Sequence, residues 1–281
     1  MIDQTMEFSV ANFRGRKITR DADFSVEDTL TVEESLKITI NGAPFTVTMR
    51  TPGREDQLVR GLLFTEDIYK DLETNPVLKI RDKSPADYIT WIDVKIPAEK
   101  VGAGIANNRS IMSVSSCGIC GKTELEKVGE GKTGLEEMDI LDPNAVAEMF
   151  AKMNAEQEVF RKSGGSHASA AFSMDGILLA MEEDIGRHNA VDKVIGSLIL
   201  NKKLKEAKCL LVSGRISYEI VSKSFVAGIP FLASVSAPSS MAVEMSDKFG
   251  ITLMAFCRED KLTAYSHTDR LKKSEEKLHH Q

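Results

Sequence analysis

Short apolar segments alternate with helical patterns throughout the second half of the chain. Continuous apolar runs of strand length occur at 177–181, 209–212, 230–235 and 251–256. Apolar residues at helical spacing occupy the intervals at 190–200, 218–227 and 239–249. Strands that are apolar on both sides belong to a sheet that is covered on both faces. This half of the chain therefore predicts an α/β fold with a largely parallel sheet.

The first part of the chain has the alternation of half-buried strands. Apolar and polar residues alternate over three segments, which are 36–40, 45–49 and 92–96. Asn41-Gly42 lies between the first two and is a typical hairpin turn, because both residues tolerate positive φ. Leucines at helical spacing predict a helix over 54–64. We expect a smaller α+β domain here.

Charge and composition disfavour several classes of protein. The formal net charge of −6 argues against a general nucleic-acid binder. No apolar run reaches the length of a membrane span, and the first residues lack the basic-then-apolar layout of a signal peptide. Four cysteines are too few for a disulfide scaffold in 281 residues, so we expect a cytoplasmic protein with reduced thiols.

Two cysteines stand three positions apart at Cys117 and Cys120, with glycine after each of the two and Lys122 beyond them. Glycines indicate an exposed loop, and a nearby cation favours the thiolate form. Three interpretations compete. A zinc site needs about four ligands, and the chain has no second Cys-x-x-Cys pair. A thioredoxin-type motif belongs at a helix start within a βαβ unit. A persulfide carrier needs an accessible thiol that visits two partners. The spacing alone leaves all three open.

Polar residues follow the predicted strands at their carboxyl ends, which is the edge where open α/β sheets bind ligands. The loops concerned are 182–189, 213–217, 234–240 and 257–261. Arginines in three of these loops are suited to binding a phosphate-bearing ligand, although each loop taken alone is also typical of a solvated turn. His167 and His188 are candidates for acid/base or ligand contacts, or for structural hydrogen bonds. Cys209 and Cys257 are interpreted as packed thiols.

An ordered series of motifs resembles the FdhD family of formate dehydrogenase accessory sulfurtransferases, over about residues 34–265. In chain order the motifs are Ser116-Cys117-Gly118-Ile119-Cys120-Gly121, Gly165-Ser166-His167, the run from Asp184 to Lys193, Ser213-Gly214-Arg215, Ser236-Ala237-Pro238-Ser239 and Phe256-Cys257-Arg258. The resemblance implies a cytidine-deaminase-like three-layer α/β core with a smaller N-terminal α+β domain. Neither His167 nor His188 begins the His-x-Glu of a zinc deaminase, so deamination is not implied.

The resemblance also implies a reaction and its residues. A sulfurtransferase of this kind moves persulfide sulfur from a cysteine desulfurase to the molybdenum bis(molybdopterin guanine dinucleotide) cofactor, which formate dehydrogenase requires. Cys117 matches the persulfide-forming cysteine, and Cys120 matches its partner. The cofactor-binding segment corresponds to Phe256, Cys257, Arg258, Glu259, Asp260 and Lys261. The cofactor is a bound acceptor, and no permanently bound metal is expected.

We accordingly expect four segments: an N-terminal α+β domain at 1–114, a flexible Cys-x-x-Cys loop and linker at 115–137, a cytidine-deaminase-like domain at 138–270 and a charged tail at 271–281. The expected partners are a cysteine desulfurase and formate dehydrogenase, with no nucleic acid and no membrane, and a homodimer is compatible with the assignment. The alternative is a non-catalytic chaperone that binds the cofactor for formate dehydrogenase and needs neither cysteine.

Overall fold

The computed structural model describes residues 9–104, 134–259 and 261–273. The strands in these ranges are β1 (Val10–Ile18), β2 (Asp23–Thr31), β3 (Glu34–Ile40), β4 (Ala43–Arg50), β5 (Val77–Lys83), β6 (Ile89–Lys95), β7 (His167–Phe172), β8 (Leu178–Asp184), β9 (Cys209–Val212), β10 (Phe231–Ser234), β11 (Thr252–Arg258) and β12 (Lys261–Ala264). The helices are α1 (Glu55–Thr65), α2 (Pro143–Glu156), α3 (Glu158–Ser163), α4 (Arg187–Leu200), α5 (Tyr218–Ala227) and α6 (Ser240–Phe249), with short 3-10 turns at Ala98–Lys100, Leu204–Glu206 and Thr268–Arg270.

A four-stranded sheet forms in the first part of the chain, in the order β4-β3-β6-β5. The β3–β4 hairpin turns at Asn41 and Gly42, which both have positive φ as the sequence predicts. The helix predicted over 54–64 is α1, and its leucines pack with β3 and β6 in one apolar cluster. The sequence did not predict β5, because nearly all of its residues are exposed and their pattern is not that of a half-buried strand.

The second part of the chain forms a six-stranded sheet in the order β12-β11-β10-β9-β7-β8. The prediction of a largely parallel sheet is wrong. Strands β9, β10 and β11 are parallel neighbours, whereas β7 runs antiparallel to both β8 and β9, and β12 antiparallel to β11. The cause is the β7–β8 hairpin, which closes at Gly176 with a φ of 71°. Strand β7 is rich in small residues and carries no apolar run that would reveal it.

Helices cover both faces of this sheet, as the continuous apolar runs predict. On β9, Cys209 and Leu211 belong to the apolar cluster that contains α2, while Leu210 and Val212 belong to the cluster that contains α4, α5 and α6. This alternation follows from the two-residue period of a strand. The α/β class is therefore confirmed, while the finer likeness to cytidine deaminases and the four segment boundaries stay predictions.

Two helices join the small sheet to the large one through a glycine contact. A Cβ atom added at Gly61 on α1 would lie 1.8 Å from the carbonyl oxygen of Asp192 on α4. One added at Gly196 on α4 would lie 1.9 Å from the carbonyl oxygen of Gln57. Both distances are far below van der Waals contact, so the backbones approach as closely as they do only because neither position carries a side chain.

Buried ion pairs surround this helix contact. Lys223 of α5 lies 2.7 and 2.8 Å from the two carboxylate oxygens of Asp192, which also accepts a hydrogen bond from Thr65 at 2.8 Å. Lys193 lies 2.7 Å from Asp184 and donates to the carbonyl oxygen of Thr51 at 3.0 Å. Removing one partner of such a pair leaves a buried charge uncompensated, which typically costs ~3–5 kcal/mol. The two pairs tie α4 to α5 and to β8, and the hydrogen bonds to Thr65 and Thr51 connect them to the end of α1 and to the chain just before it.

Gly61→Ala tests the helix contact. We expect the substitution to lower the free energy of unfolding by about 3 kcal/mol, because the added methyl group forces two backbones apart. Gly15→Ala is the matched control, since a Cβ there would meet Val26 at an ordinary 3.5 Å and the backbone φ is not positive. Urea denaturation measures both. Equal, small losses of stability in the two variants would show that α1 and α4 do not pack as described.

Candidate functional site

The carboxyl ends of four strands meet at one edge of the six-stranded sheet. Strands β9, β10 and β11 are parallel, and β8 points the same way because two antiparallel steps separate it from β9. The loops after β9 and β10 are also bonded together. The amide of Ile216 donates to Ala237 O at 3.1 Å, and the amide of Ser239 donates to Ile216 O at 2.9 Å. The predicted polar loops therefore share one rim, where ligands of open α/β sheets gather.

A cavity of about 1280 Å³ opens at this edge, between the start of α2 and the β11–β12 hairpin. This volume exceeds the ~300–1,000 Å³ of pockets that hold drug-sized ligands, so a nucleotide fits with room to spare. Its lining comes from four parts of the chain: residues between 142 and 154, residue 235, residues 257–259 and 261–262, and residues 272–273.

The charged side chains of the cavity are mostly basic. The basic ones are Arg258, Lys261, Lys272 and Lys273, and the acidic ones are Asp142 and Glu259. Asp142 caps α2 by accepting a hydrogen bond from the amide of Asn144 at 2.9 Å, and it lies 3.8 Å from the ammonium of Lys272. Four cations against two carboxylates favour an anionic ligand, and arginine and lysine are the usual partners of phosphate.

Phe256 and Cys257 occupy opposite environments at the end of β11. Phe256 has a φ of 53°, an uncommon value for a bulky residue, and its ring is 42% exposed beside a bulge between β11 and β12. Its amide donates to Ser236 O at 3.2 Å. Cys257 is 3% exposed, and burial raises the pKa of its thiol to about 11. Cys257 is therefore a neutral packed thiol, as interpreted from the sequence, whereas Phe256 presents an aromatic surface to solvent.

The other predicted site residues divide into three groups. Cys117, Cys120 and Asp260 lie outside the described residues. Arg258, Glu259 and Lys261 line the cavity together with Cys257. Arg215, which the sequence places on the same edge, is exposed there and does not line the cavity. The structure thus brings together part of the predicted cofactor-binding segment.

Sequence reasoning missed the basic residues at the other wall of the cavity. The charge-rich composition of 271–281 suggested a frayed tail. Leu271 instead bridges to Leu141, and the amide of Lys272 donates to Leu141 O at 2.9 Å. This pairing holds Lys272 and Lys273 at the cavity. The apolar Leu271 ahead of the charged run was the available signal.

A second polar cluster lies at the same sheet edge. His188 Nε2 lies 2.8 Å from a carboxylate oxygen of Glu219 and 3.2 Å from the hydroxyl of Ser217. In a serine-hydrolase triad the carboxylate and the serine contact different ring nitrogens. Here both contact the same nitrogen, so the three residues do not form a hydrolytic triad. Part of the role of His188 is therefore structural, since it ties the start of α4 to the start of α5.

His167 is the neighbour of this cluster at the start of β7. Burial lowers the pKa of His167 below its ordinary value, and the positive charge of Arg187 acts in the same direction. A Cβ atom at Gly214 would lie 3.2 Å from His167 Nδ1, so this glycine makes room for the ring. His167 is consequently a neutral imidazole near neutral pH.

Within the described residues, no group of three or more histidine, cysteine, aspartate or glutamate side chains is arranged to hold a metal ion. None of the helices described has the length and apolar composition that crossing a membrane requires.

The fold and the carboxyl edge of the six-stranded sheet together define an α/β protein. At this edge it has a basic cavity large enough for a nucleotide. A solved structure shares this fold: that of a protein from Desulfotalea psychrophila, described as a formate dehydrogenase accessory protein, matches with a TM-score of 0.71 over 94% of this chain and 99% of that one. The two sequences are 20% identical.

Sequence comparison gives the family. The model of the FdhD/NarQ family matches residues 31–272, and this chain belongs to that family. Among its relatives, the sulfur carrier protein FdhD of Mycobacterium tuberculosis is 39% identical over 277 residues, which are 95% of this chain and all of that protein. The protein of the same name from Picrophilus torridus is 36% identical over 260 residues, covering 90% of this chain and 95% of that protein. The resemblance found in the motifs is thereby confirmed.

The protonation of His167 can be measured by NMR titration of its ring. We expect a pKa below the ~6.5 of an unperturbed histidine. As the pH falls below 6.5, the unfolded chain then binds this proton before the folded protein does, so the free energy of unfolding decreases over that interval. Arg187→Gln should raise the pKa of His167, whereas the distant Lys83→Gln should leave it unchanged. A pKa at or above 6.5 in the wild-type protein would contradict the described burial.

Proposed function

We propose that this protein is a sulfur carrier that moves persulfide sulfur from a cysteine desulfurase to a molybdenum bis(molybdopterin guanine dinucleotide) cofactor destined for formate dehydrogenase. Membership of the FdhD/NarQ family and the names of the relatives support the sulfur-carrier role. The single structural observation that carries the proposal is the basic cavity lined by Cys257, Arg258, Glu259 and Lys261, part of the segment that resembles the family's cofactor-binding stretch.

The cavity is suited to the nucleotide tail of this acceptor. Arg258, Lys261, Lys272 and Lys273 all line it, so the phosphates of a nucleotide bound there have cations available from both the β11–β12 hairpin and the chain beyond Leu271. Phe256 does not line the cavity, but it directly precedes Cys257 and Arg258, and its exposed ring offers a stacking surface for a guanine base beside the cavity. Burial keeps the Cys257 thiol protonated, so this cysteine lines the site without competing for sulfur.

The sulfur chemistry is assigned to the two cysteines of the motif. The Cys117 thiolate attacks the terminal sulfur of the donor's persulfide. A new S–S bond forms on Cys117, the S–S bond of the donor breaks, and the donor leaves as a thiolate that takes up a proton. Delivery of this sulfur atom to the cofactor as sulfide requires two electrons. Attack of the Cys120 thiolate on the inner sulfur of the Cys117 persulfide supplies them, because it releases sulfide and leaves a Cys117–Cys120 disulfide.

The proposal extends to partners and setting. The donor is a cysteine desulfurase and the recipient of the loaded cofactor is formate dehydrogenase, with the carrier acting as a homodimer in the cytoplasm, where thiols stay reduced. The proposal also includes a likeness of the large domain to cytidine deaminases. It places the ends of the first three segments of the chain at residues 114, 137 and 270.

Mass spectrometry after incubation with a cysteine desulfurase and cysteine tests the carrier role. We expect the peptide that contains Cys117 to gain the mass of one sulfur atom, and Cys117→Ser to abolish both this gain and formate dehydrogenase activity in cells that lack the native protein. Cys209 and Cys257 are internal controls, because burial raises the pKa of their thiols to about 12 and about 11 and they should stay unmodified.

Two other outcomes would replace the proposal. If no cysteine gains sulfur and Cys117→Ser still supports formate dehydrogenase, the protein is a chaperone that only holds the cofactor. If Cys117→Ser loads sulfur as well as the wild-type protein does, the nucleophile is another residue.

A further inference from the structure

Strand β8 is an edge strand of the six-stranded sheet, on the opposite side from β12. Among the described parts of the chain it pairs only with β7, and its seven residues include no proline. Proteins usually cover or interrupt an edge strand, because its unpaired backbone groups can bond to another extended chain. The backbone of β8 therefore offers a place for a further strand.

The hydrogen bonds of β7 show which backbone groups of β8 point out of the sheet. The amide of Ser213 donates to Ala168 O at 2.9 Å, so the backbone groups of Ala168 face β9. Ala168 pairs with Glu183 in the antiparallel ladder, where the two members of such a pair turn their backbone groups away from each other. The backbone groups of Glu183, and of Met181 two residues earlier, consequently point outward. In agreement with this, the ammonium of Lys193 donates to Glu183 O at 3.3 Å.

A groove of about 480 Å³ runs along this strand, and residues 178–183 of β8 line it. The remaining lining consists of Glu156, Glu158 and Val159 from the α2–α3 junction, of Ser9, Pro52, Gly53 and Arg54 from the chain before α1, and of Lys193. Helix α2 covers one face of the sheet, and α4 covers the other. The chain before α1 adjoins α4, because Lys193 donates to Thr51 O at 3.0 Å. The groove thus lies between the two helical layers.

The groove has a net negative charge. Its acidic side chains are Glu156, Glu158, Glu182 and Glu183, and its basic ones are Arg54 and Lys193. Lys193 is buried and lies 2.7 Å from Asp184, which offsets its charge. Arg161, which does not line the groove, lies 4.0 Å from Glu158 and is half-exposed. Carboxylates outnumber cations even when this arginine is counted, so charge complementarity favours a cationic ligand.

We propose that β8 binds an extended, cationic segment of a partner protein as an additional strand. The outward backbone groups of Met181 and Glu183 bond to the backbone of the segment, which is a recurring mode of peptide recognition at a sheet edge. Basic side chains of the segment lie against the carboxylates of the groove. Its apolar side chains lie against Leu178 and Leu179, which are half-buried in the single chain.

The position of the groove separates this contact from the nucleotide cavity. The cavity is beside β11 and β12, on the other side of the sheet. A partner bound at β8 therefore leaves the cavity open, and the inference goes beyond the sulfur-carrier function without depending on it. A segment of about six residues is ~20 Å long and buries less than the ~800 Å² per partner of a stable interface, so the contact is reversible.

Amide hydrogen exchange in the presence of a synthetic peptide tests the contact. The probe is a heptapeptide of alternating lysine and valine with acetylated and amidated ends. At saturation we expect it to slow exchange at the amides of Met181 and Glu183 about tenfold or more, because these amides become hydrogen-bonded. The amides of the exposed edge strand β5 are the control and should keep their exchange rates.

A modified peptide separates strand pairing from simple charge attraction. The same peptide with every backbone nitrogen methylated keeps its charges but cannot donate a backbone hydrogen bond, so it should bind about tenfold more weakly or less well still. On the protein, Glu156→Gln with Glu158→Gln should weaken binding of the unmodified peptide. Glu73→Gln with Glu99→Gln, which removes two exposed carboxylates outside the groove, should not.

Three results would overturn the proposal. The first is unchanged exchange at Met181 and Glu183 in the presence of the peptide, or equal binding of the methylated peptide. The second is protection of these amides in the free chain that is lost when residues 1–8 are removed, because the chain's own N-terminus would then fill the groove. The third is protection that appears only as the protein concentration rises, because a second copy would then fill it.

Discussion

The close contact between α1 and α4 at Gly61 and Gly196 determines the arrangement of the two larger sheets. Helix α4 is buried along nearly its whole length, between the six-stranded sheet on one side and α1 on the other. The glycines allow the two backbones to touch, the buried pairs of Lys223 with Asp192 and of Lys193 with Asp184 hold α4 to α5 and β8, and Thr65 at the end of α1 donates to Asp192. Apolar burial supplies most of the stability of such a contact, while the glycines set how closely the two helices approach.

That contact also positions the carboxyl edge of the large sheet. The first turn of α4 carries Arg187 and His188, and His188 is bonded to Ser217 and Glu219 at the start of α5. The loops that follow β9 and β10 are bonded to each other through Ile216. The edge is thus a set of mutually bonded loops and not four independent turns. On the α2 side of the same edge, the cavity collects basic residues from both the β11–β12 hairpin and the chain beyond it.

The sequence predicts the helices and strands better than it predicts the cavity at the carboxyl edge. The apolar runs located β8 to β11 and the helices between them, because burial on both faces leaves a continuous pattern. Strand β7 escaped detection since small residues such as Ala168 and Ala170 pack well without forming an apolar run. The two-stranded ribbon of β1 and β2 escaped because its residues are mostly exposed, so it lacks the pattern of a half-buried strand. The cavity could not be predicted, since it depends on Lys272 and Asp142 meeting across 130 residues of chain. Cys117 and Cys120 are known only from their motif and lie outside the described residues.

Calorimetric titration with GDP tests most directly whether the carboxyl-edge cavity holds a guanine nucleotide. Saturable binding to the wild-type protein is expected, with about tenfold weaker binding after Arg258→Ala, because a hydrogen bond to a charged group contributes ~1.5–3 kcal/mol. Lys83→Ala, which removes a cation from the four-stranded sheet, should bind GDP like the wild type. If GDP does not bind, or binds equally well to Arg258→Ala, the cavity is not the site of the nucleotide.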